Sequence, residues 1–125
     1  MARIKSSGNK STEVRLARIM RRFGIKGWRR GSRLFGKPDF VFPKCKVAIF
    51  VDGDFWHGNP VYYRIPKTNS KYWERKINRN IERDEEVTAE LARLGWRVLR
   101  LWESNLKDEY AVAARISFEL VLPRI

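Results

Sequence analysis

Within 125 residues the chain has one cysteine, one histidine and no apolar run long enough to cross a bilayer. The lone Cys45 can close no internal disulfide, and no CxxC pair offers a zinc site, so a reducing cytoplasm is the expected setting. The basic opening is not followed by the apolar core of an export signal, and none is expected. Acid is also scarce, and unevenly so. Residues 1–37 hold twelve Lys/Arg and a single acid, Glu13, whereas residues 38–125 hold fifteen bases against thirteen acids. A first third with a balance of +11 points to a phosphate backbone as partner. General solubilising charge and an anionic membrane surface are the weaker readings, because neither calls for such segregation.

What is present describes a folded globule. An apolar fraction of 43% and five tryptophans suffice for the core of one domain. Met1–Lys10 lacks apolar periodicity and reads as a basic arm, leaving residues 11–125 as the domain. Ser11 or Thr12 is expected to cap a helix reaching Phe23, stopped by Gly24, with Leu16, Ile19, Met20 and Phe23 inward. A Gly/Arg-rich connection follows, with a short strand over Trp28–Arg30. Asp39–Phe42 and Val47–Val51 read as hairpin strands, Arg97–Trp102 as a further strand, and Glu109–Leu120 as a terminal helix. A long helix from Ser70 to Leu94 is expected to bury Trp73, Ile77, Ile81, Val87, Leu91 and Leu94. The order implies an α/β fold with a central mixed β-sheet flanked by helices.

One run concentrates chemistry: Ala48-Ile49-Phe50-Val51-Asp52-Gly53-Asp54-Phe55-Trp56-His57. An apolar strand empties into two carboxylates, two aromatics and the histidine, at the start of a loop over residues 53–69. Loops of that length inside compact domains are often functional. Asp39 opens the neighbouring strand twelve residues before Val51. Acids at adjacent strand ends, beside a histidine able to take a proton at neutral pH, suit metal-assisted hydrolysis of a polyanion. Asn80 and Asp84 lie on or beside the buried stripe of the long helix, where an amide and a carboxylate need partners. A satisfied core hydrogen bond or a pairing with arginine is the plain alternative. Glu13 in the first turn of its helix has an equally plain one, favourable interaction with the helix dipole.

The segments Lys10-Ser-Thr-Glu13, Gly36-Lys-Pro-Asp39-Phe-Val, Ile49-Phe-Val-Asp-Gly-Asp-Phe-Trp-His57, Pro66-Lys-Thr-Asn69, Tyr72-Trp73-Glu-Arg-Lys, Asn80-Ile-Glu-Arg-Asp84 and Leu94-Gly-Trp-Arg-Val-Leu-Arg-Leu-Trp-Glu103 resemble, in order and spacing, the very short patch repair (Vsr) endonucleases. These are DNA mismatch nickases of the PD-(D/E)xK superfamily. The resemblance covers residues 3 to 106 and implies a restriction-endonuclease-like core. It further implies a Mg²⁺-dependent endonuclease that nicks duplex DNA at or near a mismatch; a monomer is expected. Asp39 would ligate the metal with the backbone carbonyl of Val51. His57 would be the general base, with Glu13, Asn80 and Asp84 shaping the site. Phe55, Trp56 and Trp73 match aromatics that wedge into the base stack. Arg3, Lys5, Lys10, Arg29, Arg30 and Lys67 are the cations expected on phosphates.

Two departures stand out. Many of these enzymes carry a structural zinc on cysteines and histidine, but the candidate positions here read Asp54, Asn59 and Ser104, so no zinc is expected. The position before Gly53, often histidine, is Asp52, a second carboxylate able to join the metal. The alternatives are a homing or restriction-like nuclease with another site preference and an inactive DNA-binding protein of the same fold. An inactive relative would be free to lose Asp39 or His57, and this chain keeps both.

Overall fold

The computed structural model describes residues 10–30, 33–54, 59 and 66–122. Helix α1 spans Lys10–Arg22, so Ser11 and Thr12 lie inside its first turn rather than before it. Leu16, Ala17, Ile19 and Met20 are buried, the spacing of one helical face. Gly24, at φ +71°, ends the helix. Its N–H donates to the Arg21 carbonyl and that of Ile25 to the Met20 carbonyl, while buried Met20 and Ile25 supply the apolar side of the same Schellman motif.

Strands β1 (Arg29–Arg30), β2 (Phe40–Phe42), β3 (Val47–Asp52) and β4 (Arg97–Trp102) form one sheet in that order. The β1–β2 and β2–β3 pairs are antiparallel, with Phe40 opposite Ile49 and Phe42 opposite Val47. The β3–β4 pair is parallel, from Val47 opposite Arg97 to Asp52 opposite Trp102. Parallel neighbours need a crossover, and helix α2 (Ser70–Arg93) supplies it. All six residues of β3 are buried, as a central strand covered on both faces requires.

Alternation sorts the sheet into two cores. Phe40, Phe42, Val47, Ile49, Val51, Leu99 and Leu101 share one with α1 and with Val112 and Ile116 of helix α3 (Glu109–Val121). Val41, Ala48 and Phe50 share the other with Leu91 of α2, Val87 and Trp96 packing against it. On α2, Ile77 and Leu91 are buried as the stripe predicts. Leu94 is 43% exposed, because the helix ends before it and the chain turns away. Gly95, at φ +92°, closes this end with the same motif as α1: its N–H reaches the Ala92 carbonyl and that of Trp96 the Leu91 carbonyl.

A 3₁₀ turn, Glu103–Lys107, joins β4 to α3. It has no apolar period to mark it. The Trp102 N–H donates to Asn105 Oδ1 at 2.7 Å, and Leu106 is buried. Asp108 then caps α3, its Oδ1 accepting from the Ala111 N–H.

Candidate active site

The site begins with a turn. The Lys37 N–H donates to the Leu34 carbonyl at 2.9 Å, and Gly36 occupies the third position at φ +80°. A type II turn demands a residue tolerant of positive φ at that place. The chain leaves it through buried Pro38 and delivers Asp39 to the head of β2. Asp39 is 5% exposed; its N–H donates to the Ile49 carbonyl at 3.0 Å, and its Oδ2 accepts the Val51 N–H at 2.8 Å. The Asp39 carboxylate thus extends the ladder where β2 itself has stopped. In an antiparallel pair the N–H and C=O of one residue point the same way, so the Val51 carbonyl lies on the Asp39 side of β3.

This arrangement fits a hard divalent cation. A carboxylate has acceptor capacity beyond a single hydrogen bond, and Mg²⁺ prefers oxygen donors while keeping several of its waters. Among the described residues no group of three or more His, Cys, Asp or Glu is placed to cage a metal. One carboxylate with a backbone carbonyl is a donor set for a largely hydrated ion.

The second carboxylate has a different environment. Asp52 is 5% exposed, and both its oxygens lie 3.1 Å from Nη1 of Arg100 on β4. The same guanidinium approaches Asp84 Oδ1 at 3.8 Å and donates from Nη2 to the Asp84 carbonyl. Asn80, at 9% exposure, lies one turn before Asp84 on the face of α2 toward the sheet. The pairing of Asp84 with arginine, one of the alternatives open from the sequence, is present. Glu13 is half-buried on α1, with Arg30 Nη2 at 3.8 Å from its Oε2.

Beyond β3, Asp54 is tied to two other residues. Asp54 Oδ1 accepts Asn59 Nδ2–H at 2.8 Å and the Ser104 hydroxyl at 2.9 Å, and the Asn59 N–H donates to the Asp54 carbonyl at 2.8 Å. These are the three candidate zinc positions. Asp54 Oδ1 takes both hydrogen donors, and an amide and a hydroxyl stand where zinc would need cysteine or histidine, so the set does not fit zinc. Phe55, Trp56 and His57 lie outside the described residues, as do Arg3 and Lys5 and the side chain of Lys10. Trp73 is half-buried at the start of α2, edge-on to half-exposed Tyr72 at 5.1 Å. Arg29, Arg30 and Lys67 are exposed.

A sequence profile described as DNA mismatch endonuclease Vsr matches residues 1–63. The chain is 47% identical over 104 residues to the type II nicking enzyme V.NmeDIP of Neisseria meningitidis serogroup C, covering 82% of this chain and 70% of that one. This chain belongs to the Vsr family. It is also 52% identical over 87 residues to the type II nicking enzyme V.NaeI of Lentzea aerocolonigenes, covering 69% of this chain and 51% of the relative. With the DNA mismatch endonuclease Vsr of Escherichia coli (strain K12) it shares 38% over 96 residues, covering 76% and 62%. The chain therefore spans less than two thirds of the latter two relatives. For a Vsr-family chain the mixed sheet with helices on both faces is the restriction-endonuclease-like arrangement expected.

Reading the sequence for motifs misses Arg100 and Thr88, whose Oγ1 accepts Arg100 Nε–H at 2.9 Å. One signal was available: a charged residue between Leu99 and Leu101 in a predicted strand, where a half-buried guanidinium needs an acid to face.

Proposed function

We propose that this chain is a Mg²⁺-dependent endonuclease that nicks one strand of duplex DNA at or near a mismatch. The supporting observation is the Asp39 carboxylate docked on the Val51 backbone at the joined ends of β2 and β3, in a Vsr-family chain of net charge +13. Asp39 and the Val51 carbonyl would hold the metal. When bound, Mg²⁺ neutralises charge developing on the phosphate and on the leaving oxygen. His57 takes the proton of the attacking water, and Glu13, Asn80 and Asp84 keep the surrounding polar groups in place. Exposed Arg29, Arg30 and Lys67, with Arg3, Lys5 and Lys10, grip phosphates and set orientation without reading bases. Phe55, Trp56 and Trp73 open the stack beside the mismatch, where unstacking already costs less. Hydrolysis leaves a 5′-phosphate, as the family resemblance implies. The enzyme acts as a monomer, and a reducing cytoplasm suits its single thiol.

The test is a panel of matched and mismatched duplexes incubated with and without Mg²⁺. Mg²⁺-dependent nicking concentrated on one mismatch is the expected result. Equal cleavage of a matched sequence returns the restriction-like reading, and tight binding without cleavage returns the inactive one. On the same panel Trp56→Ala should lower mismatch preference by up to about a hundredfold, because base–aromatic stacking contributes about 1–3 kcal/mol. Unchanged preference in a stable variant would remove Trp56 from recognition.

A further inference from the structure

Arg100 sits on β4 opposite Phe50 of β3, its guanidinium carbon 4.2 Å from the centroid of that ring. Each of its nitrogens is engaged. Nε donates to Thr88 Oγ1 at 2.9 Å, Nη2 donates to the Asp84 carbonyl at 3.1 Å, and Nη1 lies 3.1 Å from both oxygens of Asp52. One side chain thereby ties the last residue of β3 to two successive turns of α2. Only a planar fork with five N–H groups can make these bonds together; an ammonium cannot.

The residue it binds on β3 directly follows Val51. A carboxylate as buried as Asp52 needs a partner for its oxygens, and the Arg100 guanidinium is one. Both oxygens of Asp52 face the guanidinium, and a cation brought to the same oxygens is repelled by the one already there, so Asp52 is the poorer metal ligand while the pair is intact.

We propose that Arg100 is a positioning residue for cleavage: it holds Asp52 off the metal, leaving Asp39 as the ligating carboxylate, and fixes the Asp84 turn of α2 against the end of β3. The proposal rests on the reading of Asp39 and Val51 as the metal site.

The experiment measures Mn²⁺ binding by electron paramagnetic resonance, and Mn²⁺-dependent nicking, for wild type, Asp39→Asn, Asp52→Asn, Arg100→Met and the Arg100→Met/Asp52→Asn double variant. Asp39→Asn should weaken Mn²⁺ binding more than tenfold, whereas Asp52→Asn should change it less than threefold. Arg100→Met should release Asp52 toward the metal. Mn²⁺ binding then tightens at least fivefold and single-turnover nicking slows at least tenfold, with duplex affinity unchanged. The double variant should return Mn²⁺ binding to the wild-type value. Asp52→Asn as damaging to Mn²⁺ binding as Asp39→Asn would overturn the proposal, as would a double variant that binds Mn²⁺ like Arg100→Met alone. Should Arg100→Met fail to fold, the comparison of Asp39→Asn with Asp52→Asn still decides. Wild-type protein that binds Mn²⁺ through Asp39 yet cuts no duplex would refute the nuclease reading and the role of Arg100 in cleavage with it, whereas the Mn²⁺-binding comparison would still decide whether Arg100 holds Asp52 off the metal.

Discussion

At the scale of single residues, the same side chain type meets three environments within sixteen positions. Asp39 accepts a backbone N–H, Asp52 faces a guanidinium, and Asp54 gathers an amide and a hydroxyl from two other segments. These environments predict different losses. Asp39→Asn keeps an acceptor for the Val51 N–H, so the strand ends stay joined while the anionic ligand is lost. Mg²⁺-dependent nicking should fall at least a hundredfold with melting temperature and duplex affinity nearly unchanged; wild-type rates in this variant would refute the proposed metal site. Asp54→Ala instead leaves the Asn59 amide and the Ser104 hydroxyl without that acceptor. A buried donor left unsatisfied costs about 1–3 kcal/mol, enough to lower Tm by several degrees. Added zinc should not raise the Tm of the wild-type protein, because the three side chains already satisfy one another. A zinc-dependent rise would show that they rearrange around a metal.

At the scale of elements, the recurring device is the defined stop. Gly24 and Gly95 end α1 and α2 with the same pair of bonds, and each stop turns the chain toward the sheet. Helix α3 lacks such a glycine. Arg97 of β4 closes its end instead, donating from Nη1 to the carbonyls of Glu119 at 2.9 Å and Leu122 at 3.3 Å, where the helix dipole also favours a cation. The turn before β2 is constrained twice over. Gly36 has positive φ, and a Cβ built on it would meet Val87 Cγ1 of α2 at 2.3 Å. Gly36→Ala should therefore destabilise by about 1–3 kcal/mol from overpacking, with about 1–2 kcal/mol more from the left-handed backbone. Adding Val87→Ala should relieve the clash and leave the backbone cost. Denaturant titration of the single and double variants checks this; full recovery in the double variant would mean that φ carries no cost here.

At the scale of the molecule, helix α1, the described part of the basic opening, shares a core with a sheet beside which Asp39, Asp52 and Asp54 are held in hydrogen bonds and an ion pair. Binding to duplex DNA should weaken steeply with salt, log K falling by about 0.9 per phosphate neutralised for each unit of log salt. Neutralising exposed Arg29 and Lys67 together should reduce that slope by about 2, roughly 1 for each phosphate no longer gripped. An unchanged slope would put the phosphate-binding role on other cations. Arg30 is unsuited to this measurement because it also faces Glu13.

The sequence alone determined whatever depends on neighbours within a turn or a strand. Its periodicities mark α1, α2 and α3 to within a residue or two and match β4 from Arg97 to Trp102. The spacing of Asp39 and Val51 in a hairpin sets them at adjacent strand ends, where a hydrogen bond joins them. The tertiary structure alone decided which distant groups meet. Arg100 and Asp52 are 48 residues apart, and Ser104 and Asp54 are 50 apart. No local pattern carries such a pairing, because it follows from the parallel seating of β4 beside β3 and from where α2 crosses. For Asp52 that seating matters most: the sequence shows a carboxylate able to join a metal, and the fold puts Arg100 on the next strand beside it.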